Sequence, residues 1–261
     1  MNETAAATSP TPLRVHAALV AVSLLFGANT FVAKIALREV APLALVVLRT
    51  AGAAAILFAV SRRPRGSPAP PFTRGDYARL LAYSLLGASI NQVAFLEGLA
   101  RSTATNAALM VVVVPVLTLG FAVALGRERA SLAGILGIAL GLAGALLLIL
   151  PRGGVEMAAR AVLGNLLLLV SGASYALYLV LTRSMLARQG PLRVVSWTFL
   201  FAALTLWPLG LPGLRDVLRS GLTATGAASV AYVVIGGTAV PYLLNNWALA
   251  RVHSSIVAVY V

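Results

Sequence analysis

Long apolar runs separated by short polar breaks set the pattern of this chain. The runs fall at about 15–37, 42–60, 77–99, 103–125, 131–150, 163–181, 192–211 and 227–249, and another begins near residue 253 and continues to 261. Eight of them approach the ~20 apolar residues with which a helix crosses a bilayer. The pattern therefore predicts an all-α integral membrane protein of nine spans, the last partial. Proline and glycine mark the breaks. Pro42 opens the second span, at a position where a helix has no N–H to lose. Residues 61–74 carry Pro64, Pro68, Pro70 and Pro71 with Arg62, Arg63, Arg65 and Arg74, and read as a basic loop. Pro151-Arg152-Gly153-Gly154 separates spans five and six, and Pro208, Pro212 and Gly213 are expected to turn the chain after span seven. The first twelve residues are small and polar and lack the basic start of a cleavable leader, which predicts a disordered tail over 1–14 and a retained first span.

The runs also repeat. Residues 87–111 reappear as 237–261 at a constant offset of 150: Gly87 returns as Gly237 and Leu99-Ala100-Arg101 as Leu249-Ala250-Arg251, and each copy has a polar interruption inside its apolar run, Asn91-Gln92 in the first and Asn245-Asn246 in the second. Further back, Gly27-Ala28 matches Gly172-Ala173, and Pro42 with Arg49 matches Pro191 with Thr198. The repeating unit is thus five spans long. An odd number inverts the second copy in the membrane, the architecture of many secondary carriers. The expected division is a first repeat over 15–150, a connecting loop over 151–162 and a second repeat over 163–261. Residues 112–150 find no second-copy partners at this offset, so about 39 residues of the second repeat are expected to be missing.

Composition fixes the solvent. With 60% hydrophobic residues, 10% charged residues and a mean hydropathy of +0.93, the chain lacks the charged shell of a soluble domain. A net charge of +13 would suggest nucleic acid in a soluble protein; here the arginines sit between apolar runs, and anchoring and orientation in a lipid bilayer explain them, so no nucleic acid is expected. Twelve basic residues fall on the face of the N-terminus and six on the other, which predicts a cytoplasmic N-terminus in a bacterial inner membrane. The absence of cysteine removes disulfides and thiolate metal sites. No cofactor is expected. An intramembrane enzyme acting on lipid would need clustered acids, histidine or a nucleophile within the spans, and Glu97 alone is available.

Asn29, Thr30, Asn91, Gln92, Ser174, Tyr175, Asn245 and Asn246 are polar groups at membrane depth, where an unpaired amide costs several kcal/mol. They must either hydrogen-bond between helices or line a cavity. Trp247, beside Asn246, reads as interfacial belt or cavity wall. Lys34, the only lysine, with Arg49 and Glu97 are the charges placed inside spans, and such charges point to function. All three are expected in the outer half. Arg49 has Thr198 as its repeat counterpart, so its charge is not a demand of the repeated fold. The expectation is a polar cluster of Arg49, Glu97 and Lys34 that closes an outer gate or holds a substrate carboxylate.

Leu25-Phe26-Gly27-Ala28-Asn29-Thr30-Phe31 with Lys34, Arg49 in span two, residues 91–99, Ala107-Ala108-Leu109 leading to Pro115, and Glu128-Arg129 before a glycine-rich span resemble the EamA family of the drug/metabolite transporter superfamily. The resemblance covers essentially the whole chain. It implies ten helices in two inverted halves, and a secondary transporter, expected to be an exporter, of small metabolites such as amino acids or related amphiphilic compounds, with proton or exchange coupling. A non-transporting fragment or assembly subunit is the alternative raised by the missing segment.

Overall fold

The computed structural model describes residues 13–61, 70–129, 132–149 and 155–261, so most of the expected tail, most of the basic linker and the break at 151–154 lie outside the described residues. The regular elements among the described residues are all helical. In chain order they are α1 (Leu13–Ala36), α2 (Pro42–Ser61), α3 (Arg74–Ser84), a π-turn (Leu85–Ile90), α4 (Asn91–Arg101), α5 (Ala104–Val111), α6 (Val113–Ala124) and α7 (Leu132–Ile149). There follow α8 (Val155–Gln189), α9 (Pro191–Ser220), α10 (Ala224–Val234), a second π-turn (Ile235–Ala239), α11 (Val240–Leu249) and α12 (Ser254–Val259).

Among the described residues, seven stretches are long and apolar enough to cross a membrane: α1, α2, α3 through α4, α5 through α6, Arg160–Gln189 of α8, α9, and α10 through α11. α7, within the described residues, holds the place of the fifth predicted run. α12, with 6 residues, holds the place of the ninth.

Two expectations change. Pro208, Pro212 and Gly213 do not end the seventh span; α9 runs through them to Ser220. Close packing on α2 holds it together there, since a methyl group on Gly210 would meet the Leu43 carbonyl at 3.0 Å. In lipid, prolines are tolerated where neighbouring elements support the helix. Spans three and eight, expected as plain helices, are each interrupted by a π-turn, at 85–90 and at 235–239. The two turns begin 150 residues apart and each contains a glycine of the repeat, Gly87 or Gly237.

Packing between the halves is exchanged. α2 lies on α9, α1 on α10 and α11, and α8 on α4 and its π-turn, so the first helix of each half packs on the broken helix of the other. Small residues allow the approach: Gly87 accepts the ring of Tyr178 where a side chain would collide, and Gly237 does the same for Asn29.

Candidate functional site

Where the two broken helices face α1, α2 and α8, the polar positions of the repeat enclose a cavity. Phe26, Asn29 and Thr30 come from α1, Arg49 from α2, Asn91, Gln92 and Phe95 from α4, Met110 from α5, Ser171 and Tyr175 from α8, and Tyr242 from α11. The space measured at water centres is about 90 Å³, several times the roughly 10–15 Å³ that one water needs. Polar groups occupy one part of the wall and Phe26, Phe95, Met110, Val114 and Leu168 the rest.

Hydrogen bonds order much of the polar wall. Asn91 donates through Nδ2 to the Ser171 carbonyl at 3.1 Å and to Ser171 Oγ at 3.0 Å, and its Oδ1 accepts from the Tyr242 hydroxyl at 2.8 Å. The Gly87 carbonyl is a second acceptor for that hydroxyl, at 3.0 Å. Asn245 donates to the Tyr175 hydroxyl at 2.7 Å. Tyr178 donates to Asn246 Oδ1 at 2.8 Å, and Asn246 Nδ2 donates to the Tyr242 carbonyl at 2.8 Å. The rings pack edge to face around Tyr242, with Phe199 at 4.9 Å, Tyr175 at 5.7 Å and Phe26 at 5.9 Å between centroids.

Against this ordered wall, Asn29 Oδ1 and both amide atoms of Gln92 are buried without a hydrogen bond of full geometry, although Gln92 lies beside the Tyr242 hydroxyl. Buried polar groups are nearly always satisfied. Donor and acceptor capacity therefore remains on the cavity wall.

Arg49 is buried to 3% exposure. Its Nε donates to Thr238 Oγ1 at 2.9 Å and its Nη2 to the Gly237 carbonyl at 3.0 Å, both in the second π-turn. Among the described residues no carboxylate forms an ion pair with it.

The structure does not bring the three charges into one cluster. Glu97 pairs with Arg101 one turn along α4 and lies on a separate, shallower surface groove with Arg101, Val93 and Leu167. Lys34 donates to the carbonyls of Leu99 and of Ser102, the latter at 2.7 Å, at the corner between α4 and α5. The physical reason is local competition. A carboxylate four residues from an arginine on a helix closes on it, and a lysine beside a helix C-terminus closes on its free carbonyls. Neither is left for Arg49.

The other sequence candidates divide. Asn29, Thr30, Asn91, Gln92 and Tyr175 line the cavity. Ser174 donates to the Leu86 carbonyl at 2.6 Å, Asn245 and Asn246 stand behind the tyrosines, and Trp247 lies under the Arg251 guanidinium at 4.1 Å from its centroid. Sequence reasoning missed Tyr242 and Ser171. The offset of 150 could have found Tyr242, since it is the counterpart of Gln92.

Comparison with known proteins agrees with this architecture. The profile of the EamA-like transporter family matches residues 13–150 and again 162–261. An uncharacterized transporter of Archaeoglobus fulgidus is 26% identical over 246 residues, covering 93% of this chain and 83% of that protein. A crystal structure of a protein with 19% sequence identity superposes with a TM-score of 0.66 over 94% of this chain and 82% of the other, and shows a shared fold.

Proposed function

Since the chain belongs to the EamA-like transporter family, we propose that it moves small amphiphilic metabolites bearing an anionic group, such as amino acids, out of the cell by alternating access of the central cavity between two inverted halves, one over 15–150 and one over 163–261. The observation that carries the reading is Arg49, a buried cation on the cavity wall that no carboxylate of the described residues neutralises. A guanidinium at membrane depth needs an anion, carbonyls or water, and its planar fork matches a carboxylate. Gln92 and Asn29 add neutral donor and acceptor groups nearby, and the phenylalanine, methionine and leucine wall suits an apolar body. The setting is a bacterial inner membrane with the N-terminus in the cytoplasm, and the drive is a proton gradient or exchange.

The test is transport by the purified chain in proteoliposomes against a panel of amphiphilic carboxylates, amines and neutral analogues, with and without a proton gradient. Carboxylate-bearing solutes should move and their neutral analogues should move poorly. Equal treatment of the two sets would overturn the anionic-group reading.

A further inference from the structure

The two π-turns do equivalent things to the two sides of the cavity. In an α-helix the Gly237 carbonyl would accept from the N–H of residue 241, but that residue is Pro241, which has none. Arg49 Nη2 reaches the released carbonyl at 3.0 Å. In the first turn the Gly87 carbonyl would accept from the Asn91 N–H, but that group donates to Ala88 instead. The Tyr242 hydroxyl reaches this carbonyl, also at 3.0 Å. Each turn thus offers a glycine carbonyl, 150 residues from its mate, to a cavity side chain from the opposite half.

The second turn adds a further anchor. The Thr238 hydroxyl gives its hydrogen to the Val233 carbonyl at 2.7 Å, five residues back, the spacing of the widened turn. Its oxygen is thereby left to accept from Arg49 Nε at 2.9 Å. Carbonyl and hydroxyl together hold Nε and Nη2, which fixes the plane of a rigid fork and leaves its other N–H groups for a solute. Thr238 is fully buried and is not among the residues that line the cavity. It can influence a bound solute only through Arg49.

We propose that the π-turn at Ile235–Ala239 is the element that aims the cavity cation, with Thr238 as the positioning residue that sets discrimination between solutes with and without a carboxylate; this rests on the reading of Arg49 as the site of the anionic group. Such alignment matters because a bidentate pair depends on the fork's orientation as well as its charge. The first π-turn, through Gly87, holds Tyr242 in the same manner on the facing wall.

The experiment measures transport of L-leucine and of L-leucinol, which lacks the carboxylate, by the full chain in proteoliposomes. The wild type should prefer leucine. Thr238→Val should lower the leucine-to-leucinol ratio of kcat/KM by about tenfold, through the KM for leucine. Thr238→Ser, which keeps the hydroxyl, should restore the ratio, and Arg49→Gln should abolish it. Thr238→Ala repeats the loss of the hydroxyl should the valine variant fold poorly. If Thr238→Val and Thr238→Ala keep the full ratio while Arg49→Gln loses it, the positioning role is wrong and the reading of Arg49 survives. If wild type and Arg49→Gln treat the two solutes alike, the reading of Arg49 fails and this inference fails with it.

Discussion

Glu39, in the loop after α1, accepts two hydrogen bonds from Thr223 at the start of α10, one from its backbone N–H at 2.9 Å and one from its hydroxyl at 2.6 Å. The counterpart of Thr223 at the offset of 150 is Thr73, whose N–H donates to Asp76 Oδ2 at 3.0 Å within a capping box. Both caps give the same orphan N–H a carboxylate. In the second half the corresponding residue is Gly226, so the carboxylate comes from the first half, and a side chain on Gly226 would collide with Glu39. Arg188 of α8 binds Asp76 from the other direction. A polar link between halves therefore sits at each face.

The Glu39 link should carry a pH signature. The Thr223 hydroxyl foremost, then its backbone N–H, hold the Glu39 carboxyl below its ordinary value of 4.5. A depressed carboxyl contributes stability that is present above the unfolded value and is lost as pH falls through the folded one. The melting temperature of the wild type in detergent should exceed that of Glu39→Gln near neutral pH, and the gap should close as pH is lowered below about 4.5. A gap that is flat down to acid pH would show that the carboxylate is not the capping species.

Arg49 and Glu97 should behave independently. Arg49 is engaged with the second π-turn and Glu97 with Arg101, and substitutions without shared partners add. In a transport assay, the loss caused by Arg49→Gln together with Glu97→Gln should equal the two single losses combined. Glu97→Gln alone should cost only about 0.3–0.5 kcal/mol of stability, the worth of a partly exposed pair one helical turn apart. Coupling above ~0.5 kcal/mol would mean that the two charges meet in another state of the cycle.

The spans, the duplication and the polar positions of the cavity were legible in the sequence because each leaves a periodic or compositional trace. Asn29, Asn91 and Gln92 stand out where everything around them is apolar. The partners of the charges were not legible. That Glu97 turns to Arg101 and Lys34 to the α4 carbonyls depends on side-chain direction within a turn, and depth along a span, the quantity available from sequence, says nothing of it. The π-turns left a trace that was readable only in retrospect. Gly236-Gly237 followed by Pro241 releases a carbonyl in the second copy, but the first copy reaches the same geometry without a proline. Pro208 and Pro212 show the converse, a strong breaker signal overridden by packing on α2.

Gly87 should tolerate no side chain. The Tyr178 ring lies where a Cβ would stand, with Cγ at 2.5 Å and Cε2 at 2.7 Å, and this ring is fully buried and tied to Asn246. Gly87→Ala should therefore destabilise the protein by ~1–3 kcal/mol, the cost of overpacking a close contact. Gly120→Ala is the control, because nothing lies within 4 Å of its added methyl. Thermal unfolding in detergent should separate them, with Gly120→Ala at or above wild type. Similar melting of both variants would mean that α8 can shift away from the π-turn at little cost.

Lys34 is best tested against its counterpart in the second half. Its ammonium closes the corner between α4 and α5 by donating to the carbonyls of Leu99 and Ser102. In the second half Arg183 of α8 donates to the carbonyl of Val252 at 2.9 Å, and Val252 stands 150 residues after Ser102. A cation near the end of the first helix of each half thus satisfies the carbonyls that its broken helix leaves free. This is a capping task, which a guanidinium performs in one half and an ammonium in the other. Lys34→Met should cost about 2 kcal/mol, since hydrogen bonds from charged donors carry ~1.5–3 kcal/mol and leave buried acceptors unmet when removed. Lys34→Arg should recover most of that loss, and neither change should alter discrimination between leucine and leucinol, because Lys34 does not line the cavity. The measurements are melting temperature in detergent and the leucine-to-leucinol transport ratio in proteoliposomes. A Lys34→Met protein with wild-type melting but an altered ratio would move Lys34 from a cap to a participant in solute selection.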